Sequence, residues 1–216
     1  MTRHHPSDAQ LLGYANGELA EPLALLVATH LALCPRCRAE VARLEALGGL
    51  LLEELPPAQL PAGSLEDVMA RLDTPEPASS LAPPEAAPLD TRIPRPLRDY
   101  IGGPPEALNW HTFRGLHAAR LMPERDDCKT YMLWIEAGRA FPVHGHEGNE
   151  ATLVLTGSFA DGGETYARGD VALAGPETNH RPVADQAEDC ICLVVYDGTL
   201  RLTGPYGRWL NPILRL

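Results

Sequence analysis

The chain has 216 residues with 44% apolar and 22% charged residues, enough for one large or two small domains. Its formal net charge of −11 argues against direct binding to a nucleic-acid backbone and suits a basic protein partner. Residues 1–10 are polar, and the most apolar run, residues 23–33, is too short to cross a bilayer and carries His30, so the expectation is a cytoplasmic protein with no membrane partner. Five cysteines is an odd number, and Cys34 and Cys37 stand as Cys-x-x-Cys. In a reducing compartment that spacing favours metal or redox use over structural disulfides.

Residues 1–75 read as helices. Ser7 with Gln10 three residues on is a capping-box signal, and Asn16-Gly17 breaks the helix that follows. Glu21-Pro22 opens a second helix, in which Leu23, Leu26, Val27, His30 and Leu31 share a face. A third starts near Pro35 and ends at Pro56-Pro57, with Gly48-Gly49 as a weak point or kink. Ser64 and Asp67 start a fourth, carrying Leu65, Val68, Met69 and Leu72.

His30 and Cys34 lie one helical turn apart, and Cys37 at the start of the next helix turns its sulfur back toward them. Three such ligands at a helix corner need a fourth to close a structural zinc site, and His5 or His4 can supply it. A thioredoxin-like Cys-x-x-Cys would instead follow a strand, whereas this one joins two helices. His-x-x-x-Cys-x-x-Cys with an upstream histidine resembles the zinc-binding anti-sigma factor family. The resemblance favours His5 as the fourth ligand and implies that this domain wraps a group IV, extracytoplasmic-function-type sigma factor. Zinc would stabilise a unit too small to bury a large core, since metal binding is coupled to folding.

Residues 76–96 read as a proline-rich linker that stays extended and separates two domains able to move relative to each other. From residue 97 to residue 216 the texture is short strands and turns. Strands are expected over 110–113, 118–122, 128–137, 151–157 and 189–196, with a hairpin turn at Asp161-Gly162-Gly163. His144 and His146 alternate onto one strand face, and Glu150 can return on the next strand or turn to close the same pocket. Two imidazoles and a carboxylate suit zinc or another divalent transition metal.

Gly138, His144, His146, Glu150 and Gly157 match the first motif of the cupin family, small antiparallel β-barrels of jelly-roll type. The resemblance implies His180 as a further ligand. The second motif departs from the family pattern, with Gly175, Glu177 and Ala184 where Pro, Gly and Asn are usual. The fold expected is thus a zinc-stabilised helical domain followed by an all-β cupin barrel. A helical zinc motif, a proline-rich linker and a cupin in that order resemble the ChrR-type anti-sigma factors. Cys190 and Cys192 fit that type, as a redox pair on one strand face, although two small core residues are the plainer reading. The resemblance implies a regulator rather than an enzyme, with the cupin sensing singlet oxygen or a related oxidant and the helical domain releasing the sigma factor. The alternative is a cupin dioxygenase or isomerase with a helical oligomerisation domain, for which Tyr131, Arg139, Glu147 and Tyr166 are candidate polar groups.

Overall fold

The computed structural model describes residues 2–72, 92–125 and 127–203. Most of the expected linker, through residue 91, lies outside the described residues. Four helices come first: α1 (Asp8–Ala15), α2 (Glu21–Leu33), α3 (Pro35–Glu53) and α4 (Ser64–Leu72). The Ser7 hydroxyl caps the Gln10 amide, and the Ser7 amide donates to the Gln10 side chain at 2.9 Å. Cys34 ends α2 and caps α3, its sulfur accepting from the Cys37 amide. Helix α3 runs through Gly48 and Gly49 to Glu53. A glycine weakens a helix by about 1 kcal/mol without blocking its geometry.

A fifth helix, α5 (Arg95–Ile101), starts where the linker was expected to end. Pro94 and Pro96 read by composition as linker residues, yet here they are N-terminal punctuation. Gly102 closes α5 in the left-handed region at φ 68°.

The remaining strands are β1 (His111–Phe113), β2 (Leu116–Arg120), β3 (Cys128–Ile135), β4 (His144–His146), β5 (Glu150–Thr156), β6 (Ser158–Asp161), β7 (Glu164–Ala167), β8 (Val171–Ala174), β9 (Asn179–His180), β10 (Val183–Ala184), β11 (Cys190–Asp197) and β12 (Leu200–Leu202). All pairings are antiparallel. One six-stranded sheet has the order β1-β2-β3-β11-β5-β8, and two three-stranded sheets run β10-β6-β7 and β12-β4-β9. The β6–β7 hairpin turns on Gly162 and Gly163, both at positive φ, as a two-residue hairpin loop demands.

The central strands β5 and β11 of the six-stranded sheet are buried on both faces. The sheet's inner face places Ile135, Val154, Cys190, Cys192, Val194 and Tyr196 in one cluster inside the barrel. Its outer face places Met132, Leu153, Leu155, Leu193 and Val195 in another, together with Leu25 and Leu26 of α2 and Ile93 and Leu97 beside and within α5. Helix α2 therefore lies between the helical unit and the barrel, and the two share a core. Two freely moving units were expected because linker composition says nothing about whether the flanking elements dock. Burial of α2 on several sides explains its run of apolar residues. Val27 and Leu31 face α1 and α3, in a cluster with Leu11, Cys34, Cys37 and Val41.

Candidate metal centres

At the helix corner His5, His30, Cys34 and Cys37 bring one ligand atom each to within 4.8 Å of one another. His5 Nδ1 stands 3.5 Å from Cys34 Sγ and 3.4 Å from Cys37 Sγ. Tetrahedral zinc with ordinary Zn–S and Zn–N bonds would hold such a pair about 3.6 Å apart. The His30 ring is fully buried. Its Nδ1–H donates to the Gly169 carbonyl at 2.8 Å, while its Nε2 has no hydrogen-bond partner. A buried imidazole lone pair without a donor is costly unless a cation faces it. Burial lowers the pKa of both His30 and His5, which keeps them neutral and able to ligate.

The two thiols are split. Burial pushes Cys34 up, but hydrogen bonds from the Thr2 hydroxyl and from Cys37 outweigh it, and the net direction is down. Burial and the neighbouring Cys34 push Cys37 up to about 12. Without a cation Cys37 keeps its proton, which a divalent metal would displace. These four residues fit a zinc ion. His4, the other candidate, is turned away, its ring against Tyr166 and its Nε2 3.9 Å from Glu164.

The second cluster is His144, His146, Glu150 and His180, again with ligand atoms within 4.8 Å of one another. Strand pairing assembles it. His144 on β4 pairs directly with His180 on β9, and Glu150 starts β5. His180 Nε2 lies 2.9 Å from both His144 Nε2 and His146 Nε2. His144 Nδ1–H donates to the Pro142 carbonyl at 2.9 Å, and His180 Nδ1–H donates to Asp161 Oδ2 at 2.5 Å. Both rings therefore aim lone pairs at the same point, which repel unless a cation lies between them. Carboxylate and carbonyl partners on the far ring nitrogen are the usual support of a metal-ligating histidine. Burial lowers the pKa of His144 to about 3 and of His146 to about 4, and it raises that of Glu150. The donor set fits zinc or another divalent transition metal.

Beside this cluster lies a cavity of about 140 Å³ with mostly apolar walls, including Tyr131, Phe141, Phe159, Tyr166, Cys192 and Val194. That is close to the roughly 150 Å³ that admits a benzene-sized molecule. Of the polar candidates, Tyr131 and Tyr166 line the cavity. Glu147 and Arg139 do not: Glu147 pairs with Arg201 at the surface, and Arg139 sits beside Glu136. Cys190 and Cys192 are buried with their sulfurs 3.6 Å apart. The bond with Cys190, followed by burial, pushes the Cys192 thiol well up, so it is a neutral thiol rather than a reactive thiolate. Cys128 is buried in the outer-face core, and His117 contacts Thr112 and Glu136.

Sequence reasoning did not find Asp161, Asp170 or the Gly169 carbonyl. Asp161 read only as a turn residue of the Asp-Gly-Gly hairpin, and nothing local marks its approach to His180.

Residues 101–199 match the model of the ChrR cupin-like domain family. Over 214 residues the chain is 42% identical to the anti-sigma-E factor ChrR of Cereibacter sphaeroides, covering 99% of each. It also resembles a chain in the crystal structure of Rhodobacter sphaeroides SigE in complex with the anti-sigma ChrR, at 43% identity and a TM-score of 0.79. That match covers 91% of this chain and all of the other. Among the described residues, no helix is long and apolar enough to cross a membrane.

Proposed function

Since the chain belongs to the ChrR family of anti-sigma factors, we propose that it binds a group IV sigma factor through α3 and α4 and that its barrel governs release. It acts as a regulator, in the cytoplasm where such a sigma factor meets RNA polymerase. One observation carries the choice of surface. Leu65, Val68, Met69 and Leu72 form the apolar stripe of α4, and all are exposed, Leu65 at 70% and Leu72 at 72%. Leu47, Leu50, Leu51, Leu52 and Leu55 in and just after α3 are exposed as well. An apolar face of that extent on a charged chain marks a protein interface. The relative crystallised with SigE supports a sigma factor as the occupant.

In this reading zinc at His5, His30, Cys34 and Cys37 supplies the cross-link that fixes α1, α2 and α3 relative to one another. Its four protein donors would close the coordination shell, the pattern of a structural site. The barrel residues His144, His146, Glu150 and His180 would hold zinc or another divalent metal, and the cavity beside them gives a small oxidant access. We assign the barrel the sensing of singlet oxygen or a related oxidant. Oxidation of a ligand imidazole, or of Cys190 and Cys192 to a disulfide with two protons and two electrons passing to the oxidant, would alter the inner face of the sheet. The opposite face of that sheet carries α2.

Binding of the full chain to its cognate group IV sigma factor, measured by calorimetry, tests the reading. Val68→Asp with Met69→Asp should weaken binding at least about 100-fold, as loss of central apolar anchors does. Both side chains are exposed, so the thermal midpoint should barely move. Unchanged affinity would reject this surface, and no binding of any group IV sigma factor by the unmutated chain would reject the function.

A further inference from the structure

Residues 2–5, ahead of α1, lie against the turn between β7 and β8. The amides of Arg3 and His4 donate to Asp170 Oδ1 at 2.6 and 3.1 Å, and the amide of Val171 donates to the His4 carbonyl at 3.1 Å. Asp170 Oδ2 accepts from the Ala167 amide at 3.0 Å. This carboxylate is only 2% exposed, and three backbone N–H groups converge on it. Its neighbour Gly169 presents the carbonyl that takes the His30 Nδ1–H. Gly169 has φ 92°, and a Cβ there would meet Thr2 Cγ2 at 2.5 Å. The backbone conformation favours glycine, and a Cβ would push Thr2 aside. Thr2 in turn donates its hydroxyl to Cys34 Sγ at 3.2 Å.

Cys34 and Cys37 are placed by α2 and α3 themselves. His5 is placed by the Arg3–His4 segment, and His30 has its ring oriented through Gly169. Two of the four donors thus depend on a turn that belongs to the barrel. The same segment reaches the cavity wall, because the His4 ring packs on Tyr166 with centroids 4.5 Å apart and Tyr166 lines the cavity.

We propose that the barrel completes the N-terminal metal centre, with Asp170 and Gly169 as positioning residues for His5 and His30. Undocking of the barrel and loss of that metal are then linked steps, and each promotes the other. Residues that orient metal-ligating histidines commonly carry 10–100-fold in affinity. This inference rests on the reading of His5, His30, Cys34 and Cys37 as a metal site.

The test uses the full chain loaded with cobalt(II). Thiolate-to-cobalt charge transfer reports only the centre with cysteine ligands, and metal analysis reports both. Asp170→Ala and Gly169→Ala should speed loss of the thiolate band to excess chelator about tenfold, while the barrel keeps its metal. Acceleration of less than fivefold in a folded Asp170→Ala chain overturns the proposal. If neither variant folds, amide exchange in the unmutated chain decides. The Arg3 and His4 amides should exchange as slowly as those of β8, and exchange as fast as a free N-terminus overturns the proposal. If the unmutated chain shows no thiolate band, the metal-site reading fails and this inference falls with it; a band that the variants leave unchanged rejects this inference alone.

Discussion

The two candidate metal centres are built on opposite plans. The N-terminal one gathers two thiols and two imidazoles from a chain end, a helix and a helix corner, and part of its support comes from the barrel turn at Gly169 and Asp170. The barrel centre gathers three imidazoles and a carboxylate from paired strands, and its support, Pro142 and Asp161, comes from the barrel itself. The four donors of the first would close the coordination shell of a tetrahedral ion. The second opens on an apolar cavity. A centre made of local elements and borrowed support is suited to report docking. One that carries its own support can change chemically while the fold around it persists.

Three further experiments sharpen the contrast. The largest effect should come from Cys37→Ser, which removes a thiolate the N-terminal centre has no way to replace. Metal content should fall by one equivalent, the barrel metal should remain, and sigma factor affinity should drop at least about 100-fold, given the size of structural zinc binding energies. Loss of both metals would mean that the two centres fold as one.

Acid should act next, and on the barrel of the metal-free chain. His144 and His146 sit at about 3 and about 4 when folded, below the 6.5 of an exposed imidazole. Between pH 6.5 and 4 the unfolded chain therefore binds two protons that the folded chain refuses, and stability falls as pH falls. Glu150, raised by burial, opposes this by keeping a proton in the folded state. The two imidazoles by themselves set a slope of at most about 2.7 kcal/mol lost per pH unit in that window, and Glu150 lessens it. Urea unfolding of the metal-free chain at pH 6.5, 5.5 and 4.5 reads the slope, and a flat profile would show that the imidazoles are solvated.

The smallest effect separates adjacent residues. His5→Ala should speed chelator-driven loss of the thiolate-to-cobalt band at least about tenfold, whereas His4→Ala should leave it within about twofold. The His4 side chain touches Tyr166 and Glu164 rather than the sulfurs. Comparable loss in both variants would mean that the two histidines exchange roles.

Much of the site was legible because its donors lie close in sequence. His30 and Cys34 lie one turn apart at the end of α2, Cys37 lies in the first turn of α3, and His144, His146 and Glu150 span one strand and the start of the next. Their convergence follows from periods of 3.6 and 2. His180 needed the cupin resemblance, since its motif departs from the pattern at three positions. Another signal was present in the chain and not used. Residues 190–196, Cys-Ile-Cys-Leu-Val-Val-Tyr, are apolar without alternation, and so are residues 153–155. A barrel strand with one wet face alternates, whereas an unbroken apolar run means that both faces are covered. The outer face of the sheet had to be buried by something, and the structure supplies α2 and α5.

Helices α1 to α4, most strands, the local donor groups His30–Cys34–Cys37 and His144–His146–Glu150 and the apolar stripe of α4 follow from sequence alone, because each is written within about twenty consecutive residues. That α2 belongs to both units, that Asp161 orients His180 and that Asp170 holds the segment bearing His5 follow from how the elements dock. Those contacts join residues 19 to 167 positions apart. Such contacts depend on sheet register and on which faces dock, and no local period encodes either.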